Sequence, residues 1–247
     1  MVKLPDPITA CLFDMDGVLT ETAKVHAAAW KEMFDDYLAD RGKRDGHDYG
    51  TFDARDDYDN YVDGMPRYDG VRSFLASRGI ELPQGSPSDP PDAETVDGLG
   101  NRKNELVMRK IREMGVDAYP GSIRFVKAVR AQGMRTAVVS SSANCQEIVE
   151  AAGIEDLLEA RVDGAMVERE HLKGKPAPDS YLQAARELGV DPGAAAVFED
   201  ALSGVEAGRA GSFGCVVGVD RVGQADALRE HGADIVVQDL AELLSDP

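Results

Sequence analysis

Short apolar runs and longer stretches of helical spacing take turns along this chain. Residues 8–13 are apolar but for Thr9 and predict a short buried strand. It breaks at Asp14-Met15-Asp16-Gly17, where two carboxylates and a glycine mark a loop. From 22 to about 40 the pattern turns helical, with Val25, Ala28, Ala29, Met33 and Phe34 at three- and four-residue steps. Residues 35–63 hold ten aspartates and predict a solvated, loop-rich helical surface. Residues 79–91, dense in Pro, Gly and Ser, predict a loop, and 93–114 a second helix.

Beyond Ala118-Tyr119-Pro120-Gly121 the rhythm shortens. Helical spacing at 122–132, 144–152, 179–188, 203–210 and 225–231 alternates with apolar runs at 134–139, 157–162, 195–198, 214–219 and 235–237, and the chain closes on 240–244. Strands alternating with helices imply a parallel sheet covered on both faces, an α/β doubly wound, Rossmann-like core. Residues 1–21 and 117–247 are therefore expected to form that core, and 22–116 a helical domain inserted after the first strand. No internal repeat and no low-complexity linker interrupts this plan.

Composition narrows the partners. The 247 residues carry 27 basic and 45 acidic side chains, a net charge of −18. That balance argues against a general nucleic-acid or anionic-membrane binder, because a phosphate backbone needs a cationic face. A small anionic substrate remains compatible with it, since a metal ion and a few basic groups reverse the field inside one cleft. Cys11, Cys145 and Cys215 are odd in number and form no CxxC pair, so a zinc knuckle or disulfide framework is not expected. A reduced, cytoplasmic compartment fits them. The opening residues hold no apolar stretch of signal-peptide length, and no run approaches the roughly 20 apolar residues of a membrane span. A monomer is expected, either ending naturally at Pro247 or belonging to a longer polypeptide.

Four polar signals fall at the carboxyl ends of predicted strands, where ligands bind in such folds. They are Asp14 with Asp16, Ser140, Lys175 ahead of a helix, and Glu199 with Asp200. Each alone has an ordinary reading: a turn, an N-cap, a surface charge, a pair favouring a helix dipole. In this order, each at a strand end, they converge on one crevice. Carboxylates at Asp14 and Asp200 make an oxygen-rich site suited to Mg²⁺. Mg²⁺ and Lys175 would neutralise a phosphoryl group, and Ser140 with loop N–H groups would hold its oxygens. Asp14 is then placed to attack phosphorus, and Asp16 to move a proton on the entering or leaving oxygen.

Asp14-Met15-Asp16-Gly17-Val18, Ser140, Lys175 and Glu199-Asp200 resemble the four motifs of the haloacid dehalogenase superfamily. The insertion point, Tyr119-Pro120-Gly121 and Lys175-Pro176-Ala177-Pro178-Asp179 resemble its members with a helical cap. The closer resemblance is to the β-phosphoglucomutase family, through residues 14–20, Glu21-Thr22-Ala23, His26 and Ala29-Trp30-Lys31. That resemblance implies metal binding by Asp14, the Asp16 carbonyl, Glu199 and Asp200. It implies a phosphate loop at Ser140-Ser141-Ser142-Ala143-Asn144, with Ser142 and Asn144 near the substrate. It places a phosphate-gripping cap arginine at Arg67, within Gly64-Met65-Pro66-Arg67, and cap lysine and asparagine at Lys103 and Asn104.

The resemblance also makes Thr22 and His26 a substrate-side hinge, with His26 coupling the cap to Asp16. From spacing alone His26 reads as a partly buried helix residue, Trp30 as packing or a sugar-flanking ring, and Lys103 as a solvated charge. The sequence departs from the family at Ala143, where a lysine is common, at Ala201, where a serine is usual, and in the long acidic segment 35–63. His47, His171 and His231 show no metal spacing and read as surface residues. Residues 204–208 read as helix packing, lacking the turn of a nucleotide fingerprint.

The leading functional expectation is a Mg-dependent phosphomutase. It would interconvert β-D-glucose 1-phosphate and glucose 6-phosphate through an aspartyl phosphate and a bisphosphate. A phosphatase with the same core is the alternative. A non-catalytic sugar-phosphate-binding domain is disfavoured by the intact Asp14, Asp16, Lys175 and Asp200 set.

Overall fold

The computed structural model describes residues 2–245. The chain divides into two compact units, Met1–Glu21 with Val116–Pro247, and Thr22–Gly115.

The first unit holds a six-stranded sheet. Its elements are β1 (Ala10–Phe13), α5 (Pro120–Ala131), β2 (Arg135–Val139), α6 (Cys145–Ala151), β3 (Ala160–Val162), α7 (Gly164–Arg169), α8 (Asp179–Leu188), β4 (Ala195–Glu199), α9 (Leu202–Ala210), β5 (Cys215–Val219), α10 (Ala225–Glu230) and β6 (Ile235–Val237). The strands lie in the order β3-β2-β1-β4-β5-β6, all parallel. Every residue of β1, β4 and β5 is buried, which explains why these segments read as unbroken apolar runs rather than as alternation. Tyr181, Ala184, Ala185 and Leu188 of α8 pack on Ala10, Leu12, Ala137, Val139, Val162, Ala195 and Val197 of the sheet. Phe13 stacks on Phe198 at 4.7 Å between ring centroids, and Phe125 of α5 meets Phe13 edge-on at 6.2 Å.

Strand order reverses between β1 and β4, the position at which doubly wound sheets open a ligand crevice. The register pairs Phe13 with Val138 on one side and Phe198 on the other. The residues that follow these three thus lie at one level: Asp14 just past β1, and Val139 and Glu199 as the last residues of β2 and β4.

Two features of this unit differ from the sequence pattern. The apolar run 157–162 is not all strand, because Glu155–Leu157 form a 3-10 turn and β3 keeps only Ala160–Val162. Helix α7 carries too few apolar residues to announce itself. It starts where the Asp163 side chain accepts from the Met166 N–H at 2.9 Å, an N-cap.

The second unit is helical: α1 (Ala23–Asp45), α2 (Asp56–Tyr61), α3 (Arg67–Ser77) and α4 (Val96–Met114). Helix α1 buries Val25, Ala29, Trp30, Met33, Phe34, Tyr37 and Leu38, although Ala28 of the expected stripe faces solvent. It runs past 40 to Asp45, where an Arg41–Asp45 pair at 3.0 Å spans the last turn, and stops at Gly46 with φ +68°.

Six of the ten aspartates in residues 35–63 are exposed, as a solvated surface requires, but two others anchor the fold. Asp57 is buried and accepts from Arg78 at 2.6 Å and from the Asp53 N–H at 2.8 Å. Asp35 accepts from the Phe52 N–H at 2.7 Å, drawing Phe52 into a ring cluster with Phe34 and Phe74. Carboxylates here anchor loop backbone that has no ladder of its own. Helix α3, unmarked in the sequence pattern, is held by Val71, Phe74 and Leu75 alone among its large apolar residues. Among the described residues no helix is long and apolar enough to cross a membrane.

Candidate active site

The site grows from the ends of β1 and β4. The Asp14 N–H donates to the Phe198 carbonyl at 2.9 Å, tying the first residue past β1 to β4. The chain then turns tightly: Gly17 N–H donates to the Thr20 carbonyl at 2.8 Å, and the Thr20 hydroxyl to the Met15 carbonyl at 3.1 Å. Gly17 takes φ +84°, and a Cβ there would lie 1.7 Å from Asp200 Oδ2. Only glycine allows that backbone and lets Asp200 pack so close.

Lys175, 3% exposed, donates through Nζ to Asp14 Oδ1 and to Glu199 Oε1, each at 2.5 Å. Glu199 is fully buried and also accepts from the Tyr181 hydroxyl at 2.8 Å and, at Oε2, from the Ala201 N–H at 3.2 Å. Ala201 also accepts the Gly204 N–H at 3.2 Å, so backbone supports this loop where the family has a serine side chain. A Cβ on Gly204 would fall 1.8 Å from Glu199 Oε1. Gly204 therefore serves the site, while Gly208, whose added Cβ would touch Val216 and Val197 at 3.1 and 3.2 Å, is the helix-packing glycine the sequence suggested.

Burial pushes the Asp14 carboxyl well above its ordinary range. Glu199 and Asp16 push the same way, and Lys175 opposes them. Burial alone would lower the Lys175 ammonium, but Asp14 and Glu199 outweigh it and hold it above its usual value. The geometry thus favours the charged form of Lys175 between Asp14 and Glu199.

Asp14, Glu199 and Asp200 each present an oxygen within 4.8 Å of the others. A hard, all-oxygen donor set of this size suits Mg²⁺ better than zinc or copper, which favour nitrogen and sulfur. The Asp16 side chain is not part of this carboxylate cluster; the resemblance assigns it a main-chain carbonyl instead.

Past β2, the Ser140 N–H donates to the Val162 carbonyl at 2.9 Å, and the Ser140 hydroxyl accepts the Ser142 N–H at 3.0 Å. The Ser142 hydroxyl accepts the Asn144 N–H at 3.2 Å. The loop folds onto the start of α7, where a Cβ on Gly164 would lie 2.5 Å from the Ser141 carbonyl oxygen. Ser140, Asp14, Lys175 and Glu199 all lie around the β1–β4 reversal.

In the second unit Lys103 is 6% exposed, which corrects its reading as a solvated charge. Its Nζ lies 3.1 Å from His26 Nδ1 and 4.7 Å from the Trp30 ring centroid. Trp30 stacks on Phe34 and is itself buried. Thr22 is buried and its carbonyl accepts the His26 N–H at 3.0 Å. Arg67, directly after the Gly64–Pro66 turn with Gly64 at φ +69°, lies over the Tyr68 ring at 4.7 Å and donates to the Tyr68 hydroxyl at 2.8 Å. Asn104 lines a surface cavity of about 820 Å³ with Glu32, Asp36, Arg102 and Arg109.

The strand order, the carboxylate cluster and its lysine define a class. The chain belongs to the haloacid dehalogenase superfamily and is an enzyme of it: the model of haloacid dehalogenase-like hydrolases matches residues 8–211. The chain is 58% identical over 247 residues to a beta-phosphoglucomutase of Mycobacterium tuberculosis (strain CDC 1551 / Oshkosh), covering 99% of this chain and 94% of that one. In fold it resembles a beta-phosphoglucomutase from Clostridium difficile, with a TM-score of 0.73 at 23% identity over 96% of this chain and 93% of that one. A haloacid dehalogenase family hydrolase from Deinococcus radiodurans, solved with phosphate and sodium, gives a TM-score of 0.64 at 31% identity over 97% and 94% of the two chains.

Proposed function

We propose that this enzyme is a phosphomutase that interconverts β-D-glucose 1-phosphate and glucose 6-phosphate. The observation that carries the reading is the 58% identity, across nearly the whole of both chains, to a beta-phosphoglucomutase. The site chemistry supports it. In the resting cycle Asp14 holds a phosphoryl group as an acyl phosphate. The sugar 6-hydroxyl attacks that phosphorus while Asp16 takes its proton, releasing the Asp14 carboxylate and a 1,6-bisphosphate. After the sugar turns, Asp14 attacks the phosphorus on O1 and Asp16 returns the proton to O1.

Lys175, fixed beside Asp14, offsets the repulsion between a carboxylate and a phosphoryl oxygen. Asp14, Glu199 and Asp200, with the Asp16 carbonyl, would hold Mg²⁺, which supplies further charge neutralisation at the transferring group. The Ser140 loop would receive phosphoryl oxygens, and Arg67 and Lys103 would bind the sugar phosphate.

Incubation with β- or α-glucose 1-phosphate, Mg²⁺ and a trace of glucose 1,6-bisphosphate tests the reading. Glucose 6-phosphate should form from the β anomer alone, and excess chelator should stop it. No product from either anomer contradicts the assignment, and full activity in chelator contradicts the role of Mg²⁺.

A further inference from the structure

The loop after β5 belongs to none of the groups discussed so far, yet it reaches both carboxylate-bearing loops. Arg221 Nε donates to the Gly17 carbonyl at 2.7 Å, and Nη1 donates to the Gln238 carbonyl at 2.8 Å. The guanidinium carbon lies 3.6 Å from the Tyr119 ring centroid, close enough for the ring to fix the guanidinium plane. Its side chain is 16% exposed. Three residues on, Gln224 Nε2 donates to the Asp200 carbonyl at 3.0 Å. The loop is itself shaped in advance: Asp220 Oδ1 accepts the Gly223 and Gln224 N–H groups, both at 2.7 Å.

We propose that Arg221 and Gln224 are positioning residues, a brace that sets the separation of the Asp14–Gly17 loop and the Glu199–Asp200 loop. The inference rests on reading Asp14, Glu199 and Asp200 as the metal centre. Asp16-Gly17 and Asp200 lie just beyond two adjacent strands, past the last ladder pairs of Phe13 and Glu199. Asp200 and Gly17 press together where an added Cβ would stand 1.7 Å from the carboxylate, so a small drift of either loop would spoil the donor cluster. One anchor in the loop after β5 that holds both main chains removes that freedom. The contacts are to carbonyls, so the brace acts on backbone direction rather than on the carboxylates. Asp239 pairs with the Arg221 guanidinium at 3.7 Å and helps to hold it in place. Outer partners of this kind are typically worth about 10- to 100-fold in metal affinity.

The test reads Mn²⁺ binding to the full chain by electron paramagnetic resonance, with thermal unfolding in parallel. Arg221→Met and Gln224→Met are compared with Leu188→Ala, a core change at the far end of α8. Each brace variant should weaken Mn²⁺ binding by about tenfold or more. Leu188→Ala should lower Tm at least as much and leave Mn²⁺ binding within about twofold of wild type, a change well below that of lost outer partners. Should Arg221→Met not fold, Gln224→Met alone carries the comparison. Brace variants that bind Mn²⁺ as wild type does, or Leu188→Ala weakening it equally, overturn the brace. A wild-type chain that binds no Mn²⁺ overturns the metal reading, and the brace with it.

Discussion

At the scale of single residues, the site is a compromise between charge and burial. Asp14 shares a buried space with Glu199 and Asp16, and its ionised form is disfavoured there despite Lys175. A folded-state pKa raised above the unfolded value means that an ionised Asp14 lowers stability at neutral pH. Asp14→Asn should therefore abolish turnover, because an amide cannot form the acyl phosphate, while Tm in chelator stays equal or rises. A clear fall in Tm would contradict this account of the cluster.

The three thiols give a second expectation. Burial pushes Cys11 and Cys145 up, and Cys215 up to about 11. At pH 8 a thiol reagent should label none of them in the native chain and all of them in denaturant. Below the unfolded value of 9.0 these thiols leave stability unchanged. Above it the unfolded chain sheds protons that the native chain keeps, so stability should fall, by at most about 1.4 kcal/mol per thiol per pH unit. Asp14, Ser140 and the Glu199-Asp200 pair were legible in the sequence because each follows an apolar run, and Lys175 because it stands just ahead of a helix. Tyr181 and Arg221 were not, since a tyrosine on a helix and an arginine in a loop look alike whether or not their donors reach the site.

At the scale of elements, the informative positions are those where a stripe or a glycine breaks its own pattern. Val96, Leu99, Lys103, Leu106, Val107 and Ile111 form the buried seam of α4. Lys103 thus occupies an apolar register, a signal present in the sequence once the neighbours are counted along one helix face. Its stem already fills that seam. Lys103→Met should keep stability within about 1.5 kcal/mol, as volume-conserving swaps do. The same variant should lose most mutase turnover yet still accept a phosphoryl group on Asp14 from acetyl phosphate. Equal loss of both would contradict a role confined to the sugar.

Gly204 in α9 breaks its pattern differently, for its missing Cβ makes room for Glu199. Gly204→Ala should cost about 1–3 kcal/mol in urea unfolding through overpacking. It should also weaken Mn²⁺ binding, whereas Glu206→Ala on the same helix should leave that binding unchanged. Strands β1, β4 and β5 were plain as apolar runs. Helices α2 and α3 were hidden because few apolar residues hold them, their loops being tied by Asp35 and Asp57.

At the scale of the whole molecule, a net charge of −18 coexists with a site proposed to receive an anion. The reconciliation is local: Lys175 and the proposed metal reverse the sign at one sheet edge, while carboxylates elsewhere cap loops and pair with arginines. The parallel order β3-β2-β1-β4-β5-β6 brings groups from Asp14 to Asp200 to that edge, across most of the first unit's length. Sequence alone conveyed this plan through the order of its strand-end residues. It did not decide between transfer to a sugar and transfer to water, because the same core serves both. Ala143, where the family commonly has a lysine, leaves one cation fewer on the loop after β2.

The partition of the phosphoryl group tests the central claim most directly. Glucose 6-phosphate and free phosphate are measured in the same reaction of the wild-type chain with β-glucose 1-phosphate, Mg²⁺ and a trace of the bisphosphate. The account predicts glucose 6-phosphate in large excess over phosphate throughout the time course. Phosphate released at or above the rate of isomerisation would contradict the mutase assignment and leave a phosphatase built on the same core.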